Sequence, residues 1–413
     1  MTTRDEDRIA IDALAMRVRE DFPLLSRMVG DAPIVFLDSA STTPKPRVVI
    51  DAVSHYYERC TANVHRGVHS LGEEATRLYD GARLEVAGLI GAAPDEIVFV
   101  RGTTEAINLV AHAMELTHED EVVFPASEHH ANWLPWRVRA KPIPMAIDDD
   151  GVPLWETLES LLTSKTRLIA MGHVSNVTGA IAPVAEVVAI AKKHGIPVLL
   201  DAAQSLSHLS LDVAALDVDF LAASAHKAFG PSGIGILYAK RARLAKFPLY
   251  QVGGGMVSLN EDVGVGSFVP RDAPFRFEAG TPAIEATIGF GAAIRWMRAV
   301  GMETIRKHDE HLARYLLAGL KTIPEIRVLA ANIAAEKRIA LATFVVDAPA
   351  MTQENVARAL SDMFGICVSG GYHCAHVLHA RAKLSGTVRA SPHIFNTSQE
   401  IDRLIEGLRE IVS

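Results

Sequence analysis

Asp219-Phe-Leu-Ala-Ala-Ser224-Ala-His226-Lys227, followed by the glycine-rich run Gly230-Pro-Ser-Gly-Ile-Gly235, is the stretch that decides the fold. An apolar run of strand composition ends in a hydroxyl, an imidazole and an amine. A lysine at the end of a buried strand suits a Schiff base with pyridoxal phosphate, with Ser224 and His226 donating to the phosphate. Such a tetrapeptide also arises by chance, so the reading needs a second group. Asp201 is that group, closing the apolar run Ile196-Pro-Val-Leu-Leu200. Pyridoxal phosphate withdraws electrons only while its ring nitrogen stays protonated, which calls for a buried carboxylate. Two strands ending in Asp201 and Lys227 put both groups on the carboxyl edge of a parallel sheet, where open α/β sheets bind ligands. Gln204 would then bond the ring hydroxyl. Capping of the next helix is the other role open to Asp201.

Further motifs follow other strand-like runs. Gly102-Thr103-Thr104-Glu105 comes after Ile97-Val-Phe-Val100 and reads as a tight turn into a helix, whose free N–H groups and hydroxyls hold a phosphate. A plain N-cap at Thr103 is equally compatible with that pattern. Glu128-His-His-Ala-Asn132 follows Glu121-Val-Val-Phe-Pro125 and offers His129 to stack on a pyridine ring. A metal is not expected at this histidine pair, because no third ligand stands at helical spacing. His173-Val-Ser-Asn176-Val-Thr-Gly179 follows Arg167-Leu-Ile-Ala-Met171, and Asn176 is placed to reach both a cofactor and a substrate carboxylate.

These segments, with Phe36-Leu-Asp-Ser-Ala-Ser-Thr-Thr43, Asn63-Val-His-Arg-Gly-Val-His69, Phe277-Glu-Ala-Gly-Thr-Pro282, His373-Cys374-Ala375 and Val388-Arg389-Ala390-Ser391, carry a resemblance. The chain resembles class V aminotransferase-fold pyridoxal phosphate enzymes, and among them SUF-type cysteine desulfurases and selenocysteine lyases, from about Phe22 onward. The resemblance implies an α/β protein of fold type I, with a large domain around a mostly parallel seven-stranded sheet and a smaller α+β C-terminal domain. It implies that Lys227 holds the cofactor and moves the Cα proton. Thr103, Thr104, Ser224 and His226 would bind phosphate, His129 would stack, and Asp201 and Gln204 would tune the ring. Arg389 would fork onto the substrate carboxylate, the task guanidinium geometry favours; an exposed strand arginine is the alternative. A homodimer with shared active sites is also implied, with Thr281 reaching the partner's phosphate and His65 and Arg66 lining the pocket.

Cys374 lies in Gly370-Gly-Tyr-His373-Cys374, read as a flexible loop. A desulfurase needs a thiolate there to take sulfur from L-cysteine, leaving a persulfide and releasing L-alanine. His373 and His376 are expected to supply positive charge that favours the thiolate. Cys367 reads as a small core residue and Cys60 as structural. Three cysteines without metal or disulfide spacing suit a reducing compartment. The sequence also departs from the family pattern. Ser369 stands where an arginine is usual, Ser39 replaces an asparagine, and Ala283-Ile-Glu285 replaces a smaller segment. These leave room for a C–S lyase or transaminase-like enzyme on a larger S-substituted cysteine. An epimerase of the same fold and a silent sulfur-relay protein are further competitors.

Composition sets the outer bounds. The 413 residues are 49% hydrophobic and 22% charged, enough for a large core, and no apolar stretch approaches a membrane span. The net charge of -8 gives no reason to expect nucleic-acid binding. The charged start lacks a signal-peptide core, so the cytoplasm is the expected location. Expected segments are an N-terminal helical piece (1–33) on the small domain, a cofactor-binding domain (34–282), and a bridging helix with the C-terminal domain (283–413). The pattern predicts helices near 8–20, 48–59, 104–114, 184–194, 353–364 and 398–412, one long helix over 283–320, and strands at 339–346 and 366–368. A sulfur-acceptor protein is a further expected partner.

Overall fold

The computed structural model describes residues 3–258, 268–347 and 351–413. Parts of each expected segment (1–2, 259–267 and 348–350) lie outside the described residues. Helix α1 (Thr3–Arg19) is followed by α2 (Arg47–Arg59) and α3 (Ser70–Ile90). The large sheet then begins: β1 (Ile97–Val100), α4 (Thr103–Ala113), β2 (Glu121–Pro125), β3 (Lys141–Met145) and β4 (Thr166–Gly172). It continues with α5 (Val184–Lys193), β5 (Val198–Asp201), β6 (Phe220–Ser224) and β7 (Gly235–Ala239). The seven strands order as β1-β7-β6-β5-β4-β2-β3, and β7 alone runs against the rest. Parallel strands covered on both faces must be apolar throughout. Every residue of β1, β2, β5, β6 and β7 is buried.

The predicted long helix is two helices, α6 (Ile284–Val300) and α7 (Met302–Leu320). Gly301 between them has φ of 94°, a conformation that ends α6 and that L side chains rarely adopt. The second sheet holds β8 (Ile326–Val328), β9 (Ala342–Val346), β10 (Ser369–Gly371) and β11 (Thr387–Ala390), in the order β8-β9-β11-β10. β9 starts three residues later than predicted, because Leu341 N–H turns back onto Ile339 O at 2.7 Å. Helices α8 (Gln353–Phe364), α9 (His376–Arg381) and α10 (Ser398–Val412) complete the chain. The apolar faces of α8 and α10 join α7 and the second sheet in a core that includes Leu312, Leu316, Phe344, Val356, Leu360 and Leu404, while Leu378 of α9 packs apart with Val177 and Leu329.

The N-terminal segment ties these layers together. Arg19 bonds Glu400 of α10 at 2.8 Å and the carbonyls of Leu25 and Ile34. Phe22 packs its ring against Phe229, Trp296 and Phe395, with centroids 5.8, 5.2 and 5.1 Å away. Each such aromatic pair adds about 0.5–1.5 kcal/mol beyond the area it buries. The short strand Val35–Phe36 pairs in parallel with Ile366–Cys367 in a two-stranded sheet of its own, just ahead of β10 in the chain.

Candidate active site

Five strands of the large sheet (β1, β2, β4, β5 and β6) end on one edge, and the residues just past them line one cavity of about 610 Å³. Beyond β1, Gly102 opens α4, and Thr103 meets Ser224 twice: its N–H donates to Oγ at 2.8 Å and its Oγ1 lies 2.8 Å from the same atom. These bonds pass over the start of β7, which lies between β1 and β6. Gly235 is needed there, since a Cβ would come within 2.6 Å of Gly102 Cα. The first turn of α4 therefore opens toward Thr103, Thr104, Ser224 and His226, all in the cavity wall. Free N–H groups and hydroxyls so gathered suit a phosphate. Burial and the Lys227 charge push His226 down to about 4, so it meets a ligand as a neutral ring.

Lys227 stands in the short turn after β6, Asp201 at the end of β5. Burial and the Arg389 charge lower the Lys227 amine to about 8, against the pull of Asp201. Burial raises the Asp201 carboxyl, while the Ala203 N–H at 2.9 Å and Lys227 hold it back. Gln204 Nε2 donates to Ala40 O at 2.9 Å, so its acceptor Oε1 is the end left for a ring hydroxyl. His129 accepts from Ala131 N–H through Nδ1 at 3.0 Å, and burial followed by Lys227 lowers it to about 4. The neighbouring Glu128, for which no role was expected, is a half-buried anchor. It accepts from Gly172 N–H and from Asn132 Nδ2, both at 2.8 Å, pinning the His129 loop to the end of β4. Burial raises its carboxyl to about 8.

Arg389 lies in the middle of the second sheet, in register with Ser369 and Thr343, and is buried rather than exposed. One terminal nitrogen donates to Asn176 O at 3.0 Å; the other donates to Ser41 Oγ at 2.7 Å and faces Asp38 at 3.4 Å. Its Nε is buried without a partner among the described residues. Burial lowers the Arg389 pKa and raises that of Asp38, each opposed by the other's charge. Asp38 and Ser41, two further groups sequence reasoning left without roles, set the guanidinium plane. Asn176 is less free than predicted: its Nδ2 donates to His373 O at 2.8 Å.

Cys374 lies in the same wall, in the exposed turn between β10 and α9. Two expectations for this turn need correction. His373 carries no positive charge, because burial first, then Arg389 and His379, push it down to about 2. Nor is the turn loosely held: His130 N–H donates to Cys374 O at 3.0 Å, and His376 stacks between Tyr372 and His130 with centroids 4.7 and 4.8 Å away. Cys60 is fully buried at the end of α2, and Cys367 is partly buried in its short strand.

Thr281, His65 and Arg66 are not brought to this cavity. His65 and Arg66 line a second one of about 590 Å³ with Gly254, Gly255 and Gly280, while Thr281 beside it is exposed. His65 bonds Asp80 at 2.9 Å, and the Arg66 guanidinium lies against Gly254 and Gly255.

The main cavity's donor set fits pyridoxal phosphate. Hydroxyls and helix N–H groups stand at one end, an amine and a buried carboxylate in the middle, and a guanidinium with an unpartnered Nε opposite. A family model described as aminotransferase class-V matches residues 35–404. A probable cysteine desulfurase of Halalkalibacterium halodurans is 41% identical, over 96% of this chain and 97% of its own. A cysteine desulfurase of Escherichia coli strain SE11 is 39% identical, over 96% and 97%. A solved cysteine desulfurase from Thermococcus onnurineus NA1 superposes with a TM-score of 0.89 at 35% identity, covering 96% and 97% of the two chains. With its sheet order, cavity and sequence all in agreement, the chain belongs to the class-V aminotransferase family.

Proposed function

We propose that this protein is a pyridoxal phosphate-dependent cysteine desulfurase that converts L-cysteine to L-alanine and receives the sulfur on Cys374. The observation that carries the reading is the presence of Lys227, Arg389 and the exposed thiol of Cys374 in one cavity wall. Bound pyridoxal phosphate supplies the electron sink that acidifies Cα of the amino acid. Thr103, Thr104, Ser224 and His226 would hold its phosphate, Lys227 would hold it covalently at rest, and Asp201 would keep its ring nitrogen protonated. Arg389 orients the substrate carboxylate through a guanidinium already fixed by Asn176, Ser41 and Asp38. The Lys227 amine takes the Cα proton. The Cys374 thiolate then attacks the substrate sulfur: a sulfur–sulfur bond forms, the carbon–sulfur bond breaks, and its electron pair leaves on Cβ; a proton fills Cβ and Lys227 returns its proton to Cα, which gives alanine. A reducing thiol returns the persulfide to thiol and releases sulfide.

Val68, Leu71, Val252 and Phe268, close in sequence to the residues that line the cavity of His65 and Arg66, are exposed, an apolar surface suited to a second copy that shares the site. Exposure of Cys374 suits a sulfur-acceptor protein. Among the described residues no helix is long and apolar enough to cross a membrane, and a cytoplasmic enzyme of sulfur metabolism is the reading we adopt. A larger S-substituted cysteine is a second reading, favoured by Ser369 and by Val152, Trp155 and Ile181 in the same wall.

The test incubates the holoenzyme with L-cysteine and dithiothreitol and measures alanine and sulfide for wild type and Cys374→Ala. Equal amounts of both, lost in the variant, are expected. Turnover that survives in Cys374→Ala refutes the role of the thiol, and turnover confined to S-substituted cysteines selects the second reading.

A further inference from the structure

His373 and Cys374 are consecutive residues with φ of 49° and 55°. Two adjacent side-chain-bearing residues hold the left-handed region only where their surroundings impose it. The main chain is gripped at both carbonyls, by Asn176 Nδ2 and His130 N–H. A second grip runs through side chains the mechanism does not use. His373 Nε2 lies 3.0 Å from Thr387 Oγ1, which lies 3.0 Å from His379 Nε2 and 3.4 Å from Gly371 O. His379 Nδ1 lies 3.0 Å from Ala375 O. Thr387 and His379 are wholly buried.

The proton positions follow from these partners alone. Ala375 O only accepts, so His379 carries its proton on Nδ1, and as a neutral ring it offers a lone pair at Nε2. The single Thr387 hydroxyl proton has three acceptors in reach, His379 Nε2 and His373 Nε2 at 3.0 Å and Gly371 O at 3.4 Å; only donation to the His379 lone pair leaves both histidine contacts hydrogen-bonded, because the His379 tautomer is already set and that of His373 is not. Thr387 Oγ1 is thereby left to accept, so the proton of His373 sits on Nε2. Its Nδ1 is unprotonated and has no hydrogen-bond partner among the described residues, in a ring that lines the active-site cavity.

We propose that Thr387 and His379 are positioning residues for sulfur transfer: they lock His373 in its Nε2–H form and hold the Cys374 turn in place. The locked ring offers Nδ1 to the cavity as a hydrogen-bond acceptor for a thiol. The proposal rests on the reading of Cys374 as the sulfur-receiving group.

The test uses holoenzyme in which the bound-cofactor absorbance matches wild type. Thr387→Val removes the hydroxyl at constant shape, and Thr387→Ser restores it. Two quantities are read: alanine formed in a single turnover with L-cysteine, and the 15N tautomer pattern of His373 after selective histidine labelling. In Thr387→Val the rate is expected to fall about tenfold or more, as for other ring-orienting partners, and the His373 pattern to lose its pure Nε2–H form. Thr387→Ser should stay within about twofold in rate and keep the pattern. An unchanged rate and pattern in Thr387→Val overturns the proposal. A Thr387→Ser variant as slow as Thr387→Val also overturns it, by making the threonine a packing residue. If Cys374→Ala forms alanine like wild type, the desulfurase reading fails, and the His373 pattern still decides the lock.

Discussion

Glu278→Ala should cost more stability than any change on the protein's surface. Glu278 accepts from both terminal nitrogens of Arg83 at 2.8 and 2.7 Å, from Phe99 N–H at 2.7 Å and from Tyr79 OH at 3.4 Å. The two side chains are only 5% and 8% exposed. Arg83 also donates to Ile97 O and lies over the Phe99 ring, so it cannot swing out to water when its partner is removed. The carboxylate thus staples α3 and β1 to the turn that leads to Thr281. Breaking such a buried pair from one side costs about 3–5 kcal/mol, because the remaining charge is stranded. If 413 residues unfold together, an entropy of about 2.1 cal/mol/K per residue turns that into a fall of roughly 3–6 °C in melting midpoint. Scanning calorimetry of wild type, Glu278→Ala, Arg83→Met and the double variant measures it. The double variant should melt above Glu278→Ala, since it strands no charge. A Glu278→Ala midpoint within about 1 °C of wild type, or a double variant that loses the sum of the singles, refutes the reasoning.

The Lys227 amine, lowered to about 8, must be neutral to take a proton. The rate of alanine formation should therefore rise with pH through about 8 and then level off; a flat profile from about pH 6 to 9 contradicts this, and Lys227→Ala should abolish turnover at every pH. Arg389→Lys keeps the charge and loses the fork, so KM for cysteine should rise about tenfold or more, with kcat affected less. Steady-state kinetics decide it, and an unchanged KM would place the carboxylate elsewhere. Ser369→Arg puts a second guanidinium beside Arg389 in the ladder and fills part of the wall. The ratio of kcat/KM for cysteine over S-methylcysteine should rise, and a constant ratio would show that residue 369 does not set substrate size.

The sheet was legible because most of its strands are apolar runs that end in chemistry. Ile97–Val100, Glu121–Pro125, Val198–Asp201 and Phe220–Ser224 are buried along their whole length. The groups that face a cofactor stand within a few residues of those ends. Helix bounds such as Gln353–Phe364 and Ser398–Val412 were legible from period and caps, with Thr352 and Thr397 each accepting an N–H from the first turn. What could not be read depended on residues far apart in the chain. Asp38 and Ser41 fix Arg389 across about 350 positions, and the carboxyl of Glu128 finds Gly172 on another strand.

The charge state of the Cys374 turn shows why such distant contacts decide chemistry. A histidine beside a cysteine reads locally as a cation that favours a thiolate. Folding instead buries His373 near the Arg389 guanidinium and hands its Nε2 to Thr387, so desolvation and a neighbouring cation both oppose protonation. Positive charge near the thiol then comes from Lys227 and Arg389, both electrostatically coupled to Cys374. In the proposed reaction the same two groups would hold the cofactor and the substrate carboxylate. Binding of the amino acid would therefore change the field at the thiol, whereas a cationic His373 would have set that field regardless of what the cavity holds.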